Sequence, residues 1–301
     1  MMFGLDESFD YLECSKCGCL QIKEIPQDMG KYYPYKNYYS FEKNNLNFLK
    51  NKMTTKIYEY YLFRNSFLGK ILSKYYPNDF FSILGDLKLN RNSKILDVGC
   101  GSGEFLYSLN ELNFKKLLGI DPYLTKEVHG KKMSIIKKNI NQLSKNKKFD
   151  FIFFKHSFEH IANPLETLNQ VENHMCKNGK CIISIPLKTN YIWNTYGVNW
   201  VQIDAPRHLF LYTEKSFKVL LDKTTLKLQK KVFNSNEFQF WGSEQYKNKI
   251  YLESFISYKN NPKKSIFSKK QIERFKTKAR ELNKNEEGDQ AIFILELDNE
   301  T

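Results

Sequence analysis

Arginine is scarce in this chain. Only five residues are arginine (Arg64, Arg91, Arg207, Arg274 and Arg280) among 47 basic ones, so lysine carries the net charge of +14. A charge of that size ordinarily signals nucleic acid or an anionic surface. Specific phosphate and base recognition leans on guanidinium forks, and their scarcity makes nucleic acid the minority reading. Long apolar runs are also lacking. None approaches the length of a membrane span, so no spanning helix is expected. Residues 1–10 hold no basic segment followed by an apolar core; no secretory leader is expected, and the cytoplasm is the default location. The six cysteines do not suggest a disulfide framework, since Cys100, Cys176 and Cys181 are dispersed and only Cys14, Cys17 and Cys19 cluster. No internal repeat or low-complexity linker is seen. At 301 residues the chain fits one large α/β domain with appendages.

What is present centres on Lys94-Ile95-Leu96-Asp97-Val98-Gly99-Cys100-Gly101-Ser102-Gly103-Glu104-Phe105-Leu106. A short β-favouring run is followed by glycine at every second position, then by Phe105, Leu106 and Leu109 at helical spacing. That pattern predicts strand, tight loop and helix. Glycines there let backbone approach a ligand, and the amides opening the helix favour negative groups. The spacing G-x-G-x-G differs from the G-x-G-x-x-G of dinucleotide folds, which argues against NAD. A second apolar run, Leu117 to Ile120, closes on Asp121-Pro122. An acid about 20 residues beyond such a loop can accept hydrogen bonds from two ribose hydroxyls. An Asp opening a turn before proline is the plainer alternative.

Further strands are predicted at 133–136, 149–154, 180–186 after a glycine turn at Gly179, 227–233 and 291–297. The fourth is a near-continuous apolar run, as a parallel strand buried on both faces requires. Helices are predicted at 164–175, from Glu214, and within a basic stretch from Phe238 to about Lys284. Residues 42–84 predict two or more helices, broken near Pro77.

The run Asp97-x-Gly99-x-Gly101-x-Gly103 resembles the first motif of class I S-adenosylmethionine-dependent methyltransferases. The resemblance implies a Rossmann-like α/β fold with a seven-stranded, mostly parallel sheet, its last strand antiparallel between the fifth and sixth. It implies S-adenosylmethionine as cofactor, bound through Asp97, Gly99, Cys100, Gly101, Ser102, Gly103, Asp121 and Pro122. Asn139 and Ile140 match the positions that bracket the adenine, and His156 adjoins the expected cofactor pocket.

Lys155-His156-Ser157-Phe158-Glu159-His160 resembles the family's fourth motif, in which a Glu-His pair follows an apolar strand and precedes a helix. Strand ends are where chemistry sits. The insertion at 187–213 carries Trp193, Tyr196, Trp200, Arg207 and His208, too much for a spacer. Its Pro206-Arg207-His208-Leu209 run resembles a subgroup associated with glycans and other small polar acceptors. Trp193, Tyr196 and Trp200 are then expected to stack on a sugar face, with Arg207 holding a phosphate or carboxylate. An aromatic minicore under a long loop is the alternative. His208 is expected as the general base, with His160 and His156 next. Alignment of acceptor and methyl group is expected to be the major catalytic contribution.

Three divisions are expected: a cysteine-knuckle and aromatic segment at 1–41, a helical cover at 42–90, and the methyltransferase domain at 91–301. Cys14-x-x-Cys17-Gly18 supplies half of a tetrahedral zinc site, and Cys19 could be a third ligand. No fourth ligand is evident, so zinc is expected to be substoichiometric or absent. No two-histidine-carboxylate set is visible in the sequence, and no metal is required. Tyr38 and Tyr39 are expected as lid residues over the cofactor. The sequence thus reads as a methyltransferase acting on a sugar, sugar phosphate or nucleotide sugar of surface-glycan biosynthesis. RNA methylation and a non-catalytic binding module are the rivals.

Overall fold

The computed structural model describes residues 7–33 and 48–298, so Tyr38 and Tyr39 lie outside the described residues. These form two compact units, each discontinuous in sequence: one comprises 7–33, 156–168 and 183–298, the other 48–155 and 169–182.

Strands β1 (Tyr11–Glu13) and β2 (Leu20–Ile22) form an antiparallel hairpin. The cysteine knuckle is its turn, closed by Cys14 N donating to Cys19 O at 3.0 Å and Gly18 N to Cys14 O at 2.7 Å. Three helices follow, α1 (Phe48–Phe63), α2 (Phe67–Tyr75) and α3 (Asp79–Asp86). The break near Pro77 is there, and the Asn78 side chain caps α3 by accepting from Phe81 N at 2.9 Å. Both later helices press on α1: a Cβ on Gly69 would stand 1.9 Å from Lys56 O, and one on Gly85 2.0 Å from Tyr61 O.

The glycine-loop region runs β3 (Lys94–Val98), α4 (Glu104–Glu111), β4 (Lys116–Ile120), β5 (Met133–Ile136) and β6 (Phe149–Lys155). Helix α5 (Pro164–His174) leads directly into β7 (Met175–Pro186). This strand begins earlier than expected. Gly179 lies inside it and not at a turn before it, where a Cβ would meet Met175 Cγ at 2.6 Å and Phe149 O at 3.1 Å. Then come α6 (Asn190–Tyr196), β8 (Phe210–Leu211), α7 (Glu214–Leu221) and β9 (Leu226–Phe233). The basic stretch resolves into α8 (Phe238–Lys247) and α9 (Lys269–Lys284), and β10 (Gln290–Leu297) ends the described chain.

The main sheet has seven strands in the order β5-β4-β3-β6-β7-β10-β9. β3 pairs parallel with β4 and β6, and β4 with β5, while β10 is antiparallel to β9. The last strand therefore sits between the fifth and sixth strands of the sheet, as the class I resemblance implies. A second sheet joins β1, β2 and β8. Fully buried Ile95, Leu96, Leu106 and Phe153 fill the interior around β3, and Phe105 packs edge-on to Phe153 at 4.9 Å. The other unit has its own core, in which Trp200, Tyr196, Phe240 and Trp241 are prominent. Among the described residues no helix is long and apolar enough to cross a membrane.

Candidate functional site

The expected cofactor loop is the turn from Val98 to Glu104. Gly99, Gly101 and Gly103 have φ of 71°, 52° and 84°, a region L-residues other than glycine rarely enter. Gly103 also lacks room, since a Cβ would stand 2.1 Å from Ile135 Cδ1. Hydrogen bonds hold the loop to the end of β4: Gly99 N and Cys100 N donate to Ile120 O at 2.8 and 3.2 Å. Asp121 Oδ2 accepts from Gly101 N at 3.0 Å and Oδ1 from Tyr123 N at 2.8 Å. A carboxylate oxygen can accept more than one hydrogen bond, so Asp121 suits a ribose diol beside its backbone partners.

Asp97 is 3 % exposed, and burial pushes its carboxyl up to about 7; Lys155 pulls it down and Asp121 raises it. A buried acid poised between its two states matches a ligand bearing an ammonium and a sulfonium. Ser102 and Pro122 lie in the same stretch, Pro122 half-buried. Cys100 is also half-buried, and burial drives its thiol up, which keeps it protonated. Asn139 is exposed, its N–H donating to Gln142 Oε1 at 2.8 Å, and neighbouring Ile140 is buried. Alternating glycines, loop amides and two acids have the chemistry the sequence led us to expect of a site for S-adenosylmethionine.

A second cluster of polar side chains belongs to the other unit. His156 begins the exit from β6 at φ 54°, with its N–H donating to Ser184 O at 2.9 Å. Its side chain is 36 % exposed, and Nδ1 stands 3.8 Å from Glu159 Oε1. Glu159 is 1 % exposed, and neither carboxylate oxygen has a hydrogen-bond partner among the described residues. Burial alone would raise it, but the imidazoles of His156, His160 and His208 hold it down to about 2. His160 Nδ1 lies 2.8 Å from Arg207 O and 3.2 Å from the Tyr33 hydroxyl. Burial, then His208, push His160 down to about 4 against the pull of Glu159, which leaves it neutral near pH 7. His208 Nδ1 lies 2.7 Å from Gln202 O, while Nε2 faces Glu159 Oε1 at 3.8 Å and Asp204 Oδ2 at 3.7 Å. Leu209 N donates to Glu159 O at 2.9 Å, tying the insertion to the strand exit.

The fold thus gathers all three expected histidines and adds Glu159, Asp204 and Tyr33, which the sequence did not single out. The signal for Glu159 was its place beside His160 after a buried strand; nothing local marks the other two. The sequence shows no two-histidine-carboxylate set, but the fold assembles one by bringing His208 of the insertion to Glu159 and His160.

Other expected acceptor contacts are redirected inward. Arg207 is 2 % exposed and its guanidinium pairs with Asp204, so it is not presented to an external anion. Trp200 is fully buried and donates from Nε1 to Asp289 at 2.9 Å. Tyr196 joins the same core, and Trp193 lies under Lys188 Nζ at 4.9 Å from its ring centroid. Lys188 in turn donates to Glu13 at 2.6 Å and Gly18 O at 3.0 Å. The aromatic minicore is therefore the observed role of Trp200 and Tyr196. The three clustered cysteines do not converge on one point; among the described residues only Glu159, His160 and His208 bring three metal-ligating atoms together.

Residues 72–231, more than half of the chain, match the family described as "Methyltransferase domain". Among curated proteins, a tRNA U34 carboxymethyltransferase of Glaesserella parasuis serovar 5 is 29 % identical over 111 residues, covering 34 % of this chain and 35 % of that protein. The corresponding protein of Haemophilus influenzae strain PittGG is 30 % identical over 99 residues, covering 30 % and 31 %. The chain thus spans about a third of the length of these relatives. Among solved structures, the StiE O-MT segment overlaps 81 % of this chain and 82 % of its own at 12 % identity and TM-score 0.43. The plantazolicin methyltransferase BpumL, solved with SAH, overlaps 83 % and 98 % at 19 % identity and TM-score 0.42. With residues 72–231 matched, the chain belongs to the methyltransferase domain family.

Proposed function

We propose that this enzyme methylates an oxygen of a small polar acceptor in the cytoplasm, first a sugar, sugar phosphate or nucleotide sugar of surface-glycan biosynthesis. The observation that carries the reading is His156, partly exposed at the exit of β6 with ionised Glu159 beside it. Holding a non-glycine residue in the left-handed region costs about 1–2 kcal/mol, and such strain clusters at functional positions.

When bound, S-adenosylmethionine supplies an electrophilic methyl group on a sulfonium. The residues proposed to hold it are Asp97, the loop from Gly99 to Gly103 and Asp121, with Asn139 and Ile140 at the adenine. A hydroxyl acceptor must lose a proton as its oxygen attacks, and a positioned base contributes about 10²–10⁴-fold. His156 is the proposed base, its ring oriented by Glu159, because its side chain is 36 % exposed, whereas that of His208 is 7 % exposed and faces Glu159 and Asp204.

Labelled S-adenosylmethionine incubated with sugars, nucleotide sugars and tRNA tests both claims. Label is expected in the sugar class. His156→Gln is expected to keep the affinity for the demethylated cofactor and to lose about 10²–10⁴-fold in turnover. Unchanged turnover would remove His156 from the role. Label confined to RNA would favour the second reading, a tRNA acceptor, which draws on the net charge of +14 and on what the curated relatives are named for.

A further inference from the structure

We propose that Glu159, His160 and His208 form a binding site for one divalent transition-metal ion of the zinc class. The proposal goes beyond methyl transfer and does not depend on which acceptor is used.

Three observations carry it. The first is convergence: one ligand atom from each of the three residues lies within 4.8 Å of the others. A tetrahedral site with bonds of about 2.0–2.1 Å has donor atoms roughly 3.4 Å apart. His208 Nε2 and Glu159 Oε1, at 3.8 Å, are already close to that edge.

The second observation is the state of the two imidazoles. Arg207 O and Gln202 O can only accept hydrogen bonds, and they lie 2.8 and 2.7 Å from Nδ1 of His160 and His208. With Nδ1 of each ring turned to a carbonyl that can only accept, Nε2 is the nitrogen left to bind a metal. A backbone carbonyl fixing the far nitrogen is the usual support of a metal-bound histidine.

The third observation is Glu159 itself. Its carboxylate is 1 % exposed and accepts no hydrogen bond among the described residues. The imidazole nitrogens of His156 and His208 that face Oε1 stand at 3.8 Å, beyond hydrogen-bond reach. The nearby Arg207 guanidinium is engaged by Asp204. Buried carboxylate oxygens that accept no hydrogen bond are costly, and a cation at the convergence point supplies the partner they lack.

Two imidazoles and one carboxylate suit zinc, cobalt or iron better than magnesium or calcium, which prefer all-oxygen sets. Three protein ligands leave a fourth position open, the pattern of a reactive metal centre and not of a closed structural one. Half-buried His160 is the member through which an ion can enter.

The test uses the full chain, stripped with a chelator and titrated with Zn²⁺ alone by calorimetry, and with Co²⁺ by visible absorption. One ion per chain is expected, with a Co²⁺ spectrum free of thiolate charge-transfer bands. A Cys14→Ser, Cys17→Ser, Cys19→Ser chain is expected to retain it. Glu159→Gln, which keeps shape, is expected to weaken Zn²⁺ binding by more than about 100-fold, the upper end of what loss of an outer partner costs. It should also abolish the rise in melting temperature that Zn²⁺ gives the unaltered chain. His208→Ala should behave alike, and Glu159→Gln stands in for it should that variant fail to fold. Zinc binding that disappears with the cysteines, or survives Glu159→Gln undiminished, would overturn the proposal, as would no binding at all.

Discussion

Replacing Asp97 by asparagine should stabilise the free protein in a way that depends on pH. Asp97 is 3 % exposed on β3, opposite Gly119 of β4 and Phe153 of β6, and its carboxyl is pushed from 3.8 up to about 7. A folded-state value above the unfolded one means that the stabilising contribution is complete below about pH 4. It is lost as pH rises through about 7. The whole shift, about three units at 1.36 kcal/mol each, corresponds to roughly 4 kcal/mol. Integrating between about pH 5 and pH 8 leaves roughly 2–3 kcal/mol of it in that window. Asparagine has the same shape and does not ionise. Urea unfolding of both proteins at the two pH values should show the advantage of the Asp97→Asn variant growing by that amount toward pH 8. Cofactor affinity should move the other way, because the lost charge is the one proposed to meet a cationic ligand. A stability difference that is flat across the window, or shrinks toward pH 8, would refute the account of Asp97 as a buried, reluctantly ionised acid.

Asp121→Ala should weaken binding of S-adenosylmethionine by about 1.5–3 kcal/mol, the worth of hydrogen bonds to a charged group; calorimetry showing unchanged affinity would remove the ribose assignment. Gly103→Ala should lower the melting temperature through both its φ of 84° and the 2.1 Å approach to Ile135 Cδ1. Adding Ile135→Ala should restore only the steric part, and full restoration would mean that the left-handed backbone carries no cost. Trp200→Phe removes the Nε1 donor from Asp289, whose carboxyl burial pushes up to about 6 while Trp200 holds it down. The loss should be about 1.5–3 kcal/mol larger near pH 8 than below the Asp289 value, where the acid is protonated, and a pH-independent loss would show that the tryptophan matters only as volume.

Local chemistry made the glycine loop legible in advance. A loop with glycine at alternate positions, an acid before it and another after the next strand imposes its geometry through backbone sterics and short-range hydrogen bonds. The structure repeats that geometry in the φ values of Gly99, Gly101 and Gly103 and in the bond from Gly101 to Asp121. Apolar runs likewise announced the strands of the main sheet, because a strand covered on both faces needs them. Where a rule was too coarse, the boundary moved: Gly179 suggested a turn, yet close packing against Met175 and Phe149 is what excludes a side chain there.

The histidine cluster was another matter. His156 and His160 were visible as a pair at a strand exit, and His208 as part of an unusual insertion. That they meet, and that Glu159 lies between them without a donor, depends on long-range contacts such as Leu209 to Glu159 and Tyr33 to His160. No periodicity encodes such contacts. The inward turn of Arg207 and Trp200 shows the same limit, since composition makes them look like acceptor contacts while burial and the partners Asp204 and Asp289 decide otherwise. Sequence by itself determined the fold class and the conformation of the glycine loop, whose causes act over a few residues. Tertiary structure alone decided which polar groups share a buried volume, because their pairing is set by desolvation among residues far apart in the chain.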